Sequence, residues 1–169
     1  DFCLSRGLGD VYKRQSGKYG NSTPMFGFER QGAPVTSFVR LSDEKIRAKN
    51  QVYNPDCTLI LDPSLLISAP VFEGMKEGSV VVLNTKAADA RPLITNPNVK
   101  RVAWLDATSI ALEVLGRPIT NTIMLGAFVK ATGWVDKEAL EKVVLQFFGE
   151  KNVETFRRGY DEVKLFDFS

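Results

Sequence analysis

Three short, almost unbroken apolar runs constrain this chain more than anything else in it: "CTLILD" (57–62), "SVVVLNT" (79–85) and "RVAWLD" (101–106). A strand with one wet face alternates apolar and polar residues, whereas a continuous run needs cover on both faces. Such runs suit a mostly parallel sheet held between helices. Each ends on a polar residue: Asp62, Asn84 and Asp106. In open α/β sheets ligands gather at the carboxyl ends of strands. An Asp or Asn at that place also caps the next helix or turn. Both readings are open from sequence.

Helical periods fill the second half. "DATSIALEVLGRP" has an acidic N-cap in Asp106, an apolar face of Ile110, Ala111, Val114 and Leu115, and a stop at Gly116 and Pro118. "TNTIMLGAFVKATG" follows, with Asn121 placed to cap its start and Gly126 inside it. A mid-helix glycine costs about 1 kcal/mol against alanine, so close packing on a helix or a subunit is expected there. In "DKEALEKVVLQFFG", Leu140, Val143, Val144, Phe147 and Phe148 fall at i, i+3, i+4, i+7 and i+8, one amphipathic face. "VETFRRGYDEVK" predicts a last helix with Val153, Phe156, Tyr160 and Val163 inward and Arg157 and Arg158 on its solvated side. Further forward, "VTSFVRL" (35–41) reads as a strand. "EKIRA" after Ser42 and Asp43 is expected to pair with it as a hairpin.

Composition excludes more than it assigns. The 169 residues contain no histidine, so neither a Ser-His-Asp nor a Cys-His catalytic unit can be built from this sequence, nor a histidine-ligated metal. Two cysteines, Cys3 and Cys57, are too few for the four ligands of an iron–sulfur cluster. Cys57 opens an apolar strand and reads as a small core residue. A net charge of +2 without a basic run gives no case for nucleic acid, and no apolar stretch approaches a membrane span. A reducing cytoplasm is the expected setting. Reactive chemistry would have to come from other chains.

Residues 1–15, "DFCLSRGLGDVYKRQ", lack a clean period and join abruptly to "SGKYGN" (16–21). They resemble a translated adapter leader that precedes unrelated reading frames assembled from environmental DNA. The expected organisation is a non-native leader over 1–15 and a single α/β domain over 16–169. A sheet of this kind normally opens with a strand and a turn into a helix. The credible sequence starts near Gly17, so that opening is expected to be lost, leaving an exposed sheet edge and a tendency to aggregate.

Four segments carry a family likeness: "FGFERQGAPVTSFVR" (26–40), "VYNPDCTLILDPSLL" (52–66), "LDATSIALEVLGRPITNTIMLGAF" (105–128) and "NVETFRRGYDEV" (152–163). Together they resemble the gamma subunit of 2-oxoacid:ferredoxin oxidoreductases, nearest to the pyruvate and 2-oxoisovalerate enzymes. The resemblance implies a three-layer, Rossmann-like α/β sandwich with a mostly parallel sheet. It also implies a complex with alpha, beta and delta subunits that oxidatively decarboxylates a 2-oxoacid. The products there are acyl-CoA, carbon dioxide and reduced ferredoxin or flavodoxin. In the family, thiamine diphosphate with Mg2+ sits mainly on the beta chain and the 4Fe-4S clusters on delta-type and beta components, so this chain is expected to bind neither. A "GRGGQG"-type loop expected after the first strand is absent, its place taken by the leader.

In related single-chain enzymes the stretch matching "ERQGAP" carries a basic residue that helps hold the phosphates of coenzyme A. By position that role falls on Arg30, whose guanidinium can grip two phosphate oxygens at once. Gly32 would let the backbone approach the ligand, and Glu29 would hold Arg30 in place or face a neighbouring subunit. A purely interfacial pairing of Glu29 with Arg30, or a solvated charge, fits the same residues.

Overall fold

In the structure, a computed structural model, residues 19–25, 36–48 and 50–169 are described. The chain divides into two compact units, residues 1–52 and 53–169. In the first, β1 (Tyr19–Met25) pairs antiparallel with β2 (Thr36–Ser42), in register from Tyr19 opposite Ser42 to Met25 opposite Thr36. The strand expected in "VTSFVRL" is present, but its partner is not. Residues 45–48 form no regular structure; Ser42 Oγ instead accepts the Glu44 N–H in a tight turn. Asn21 on β1 then holds the Ala48 carbonyl at 3.1 Å. Arg40 on β2 donates to the Asn50 and Gln51 carbonyls at 2.7 and 2.9 Å. Side chains, not a ladder, tie that segment down.

The second unit is built on a four-stranded sheet ordered β3 (Cys57–Ile60), β4 (Ser79–Asn84), β5 (Val99–Leu105), β6 (Lys164–Asp167). The first three are parallel and β6 is antiparallel to β5. All three apolar runs are therefore strands, and all six residues of β4 are buried. Alternation divides them between two cores. Val80, Val82, Ala103 and Leu105 face a layer of helices, while Val81, Leu83, Val102 and Trp104 face the other way. The fold is a mixed α/β arrangement on a mostly parallel sheet, as the runs predict.

The helical face carries α2 (Ala107–Leu115) and α3 (Asn121–Thr132), with α4 (Lys137–Phe148) and α5 (Glu150–Glu162) packed on them. The opposite face is covered more thinly, by the single-turn α1 (Leu65–Ser68), by loop residues such as Phe72 and Met75, and by Phe166 and Phe168. Helix α3 crosses α5 where Gly126 and Gly159 leave no room for a Cβ on either side. The glycine in the middle of α3 is there for helix-on-helix contact. Phe156, fully buried beside this crossing, contributes roughly 1.5–3 kcal/mol by burial alone.

Three expectations need correction. Thr120 occupies the N-cap position of α3, and Asn121 is the helix's first residue. In α4, Leu140, Val143 and Val144 are buried, but Phe147 and Phe148 are 56% and 37% exposed. The apolar stripe outruns the surface it packs on, because Gly149 at φ +81° turns the chain directly into α5. Tyr160 is only half-buried, with Lys130 and Lys137 at 4.8 and 4.0 Å from its ring centroid. Among the described residues, no helix is long and apolar enough to cross a membrane.

Candidate functional site

The carboxyl ends of the parallel strands are where an α/β sheet offers a site. Their three polar end residues are engaged within the fold. Asp62 accepts the Ser64 N–H at 2.9 Å, a turn bond that holds its carboxyl below the usual carboxylate range. Asp106 caps α2, accepting from Ser109 N–H at 3.0 Å and Ser109 Oγ–H at 2.6 Å. Partial burial pushes the Asp106 carboxyl up, yet those bonds and the nearby Lys86 outweigh it and the carboxyl ends low.

Asn84 does the most. Buried at the end of β4, its amide donates to the Leu61 carbonyl at 2.8 Å and to Thr108 Oγ1 at 3.0 Å. Its Oδ1 accepts the Ala107 N–H at 3.0 Å. One side chain thus joins the end of β3 to the first turn of α2. The capping reading of Asp62, Asn84 and Asp106 is the one that the geometry supports.

Beyond these ends lies a cleft of about 350 Å³, lined among others by Thr85, Asp106, Ser109, Glu113, Arg158 and Lys164. Arg158 crosses one wall. Its Nη1 stands 2.9 Å from Glu113 Oε2 on α2, and its Nε donates to Glu162 Oε1 at 2.5 Å one helical turn on. Those partners push the guanidinium's pKa up. Arg158, expected on the solvated face, is therefore half-buried between two carboxylates. Arg157 pairs with Glu141 and keeps the more exposed position. The i,i+4 spacing of Arg158 and Glu162 is visible in the sequence; the second partner, Glu113, needs the fold.

General acid–base work at neutral pH asks for a group poised near pH 7. Asp106 and Arg158 are displaced the other way. The half-buried Cys57 thiol is displaced away from neutrality too: desolvation, and then the Asp56 charge, push it up to about 12. Among the described residues there is no group of three or more His, Cys, Asp or Glu side chains that could hold a metal ion. Glu29, Arg30 and Gly32, the residues singled out for coenzyme A, lie outside the described residues.

The family model for pyruvate ferredoxin/flavodoxin oxidoreductase matches residues 4–162. The chain belongs to that family. A gamma subunit common to the pyruvate and ketoisovalerate oxidoreductases of Pyrococcus furiosus is 44% identical over 156 residues, covering 89% of this chain and 84% of that protein. The gamma subunit of the NADH-dependent phenylglyoxylate dehydrogenase of Aromatoleum evansii is 47% identical over 159 residues, covering 89% and 82%. The crystal structure of the Thermotoga maritima pyruvate oxidoreductase subunit PORC superposes with a TM-score of 0.81 at 36% identity, covering 96% of this chain and 89% of that one. These relatives of the oxidoreductase family are all subunits rather than whole enzymes. Two of the four segments that carry the family likeness, 105–128 and 152–163, supply the two sides of the α3–α5 crossing.

Proposed function

We propose that this chain is the gamma subunit of a pyruvate (2-oxoacid):ferredoxin oxidoreductase, and that it assembles the complex and positions coenzyme A without itself supplying a reacting group. The observation that carries the first half is the family match over residues 4–162 together with relatives named as gamma subunits. Companion alpha, beta and delta chains would hold thiamine diphosphate, Mg2+ and the 4Fe-4S clusters. Ferredoxin or flavodoxin would take the electrons.

For coenzyme A, Arg30 is the residue assigned to the phosphates. Gly32 allows close approach of the backbone and Glu29 orients the guanidinium. Holding the cofactor so that its thiol meets the reacting centre of another subunit is catalysis by orientation, which needs no nucleophile on this chain. Choice of 2-oxoacid belongs to the companion chains. Relatives of near-equal identity bear the names of pyruvate, ketoisovalerate and phenylglyoxylate enzymes, and the Pyrococcus furiosus subunit is named as common to two of them. Pyruvate is the proposed substrate, with the 2-oxoisovalerate type as the second reading.

An Arg30→Ala variant in the reconstituted complex tests the coenzyme A role. A charge-assisted hydrogen bond is worth about 1.5–3 kcal/mol, so KM for coenzyme A is expected to rise roughly 10- to 100-fold with assembly intact. An unchanged KM in an intact complex leaves a purely structural subunit. Keto-acid turnover by the isolated chain overturns the subunit reading itself.

A further inference from the structure

We draw no further inference here: the strongest candidate, the charged cleft at the carboxyl ends of β4 and β5, carries nothing because its arginine is already paired with Glu113 and Glu162 and its Asp106 is held by the first turn of α2.

Discussion

Gly126 on α3 and Gly159 on α5 press against each other's helices: a Cβ on Gly126 would run into the carbonyl oxygen of Phe156, and one on Gly159 into that of Ile123. The obstacle is backbone in both cases, so no side chain can swing aside. Gly126→Ala gains about 1 kcal/mol of helix propensity but forces the helices apart, an overpacking cost of about 3 kcal/mol or more. A net loss of about 2 kcal/mol is expected in urea melts, and the same for Gly159→Ala. Either variant melting above the parent would refute the close crossing.

Removing the amide of Asn84 leaves the Leu61 carbonyl and the Ala107 N–H without their partner in a buried place. Each such group costs about 1–3 kcal/mol. Asn84→Ala is expected to lose about 3 kcal/mol, clearly more than Thr108→Ala, which removes one acceptor from the same cluster. Equal losses in the two variants would mean that Asn84 is not the hub of this corner.

Acid should weaken the fold through identifiable carboxylates. Asp62, Asp106 and Asp167 are held below 3.8 and Glu141 below 4.5, the last two by hydrogen bonds from Arg101 and Arg157. A depressed folded-state pKa stabilises the native state above the unfolded pKa, and that contribution is lost as pH falls through the folded value. Urea midpoints should therefore hold from pH 7 to about pH 5 and drop steeply below pH 4. In Asp106→Asn the drop should be shallower. A midpoint that does not move between pH 5 and pH 2.5 would count against these pairings.

The Cys57 thiol shifts in the alkaline direction, from 9.0 to about 12. Its contribution is complete below pH 9 and is lost as the unfolded chain ionises first. In a Cys3→Ser background, thiol labelling at pH 8 should be slow in the native protein and fast in urea. Rapid native labelling would show a readily formed thiolate and contradict the raised pKa.

Position along α4 sets a contrast between neighbours in the same stripe. Val144→Ala, in the packed part, should cost about 2 kcal/mol. Phe147→Ser, on the exposed last turn, should stay within about 0.5 kcal/mol. Comparable losses in chemical denaturation would place Phe147 in the core after all.

The sheet was legible because β4 and most of β5 are buried on both faces, which leaves near-continuous apolar runs in the sequence; β3 shares such a run although its Leu59 is 40% exposed. The helices were legible for a related reason: Asp106, Gly116 and Gly133 act locally, within one turn of the ends they define. What escaped depends on distant partners. The four residues of β6 are too few to show a period, and they become a strand by pairing antiparallel with β5, from Arg101 opposite Asp167 to Trp104 opposite Lys164. The pairing of β2 with β1 rather than with residues 44–48 is likewise decided across the ladder. At the cleft, Arg158 looked like one of two surface cations because its carboxylate on α2 is 45 positions away. Helical period cannot say where a neighbouring surface stops, which is why it places Phe147 and Phe148 on the inward face.

That short antiparallel strand has a practical consequence. Phe166 and Phe168 clad the side of the sheet that the long helices leave bare, and the Phe168 N–H closes on the Lys100 carbonyl at 2.7 Å. Both rings are half-buried and pack against the sheet's second core. Deleting residues 164–169 would strip shelter from Val102 and Trp104, so an affinity handle should not take the place of these six residues.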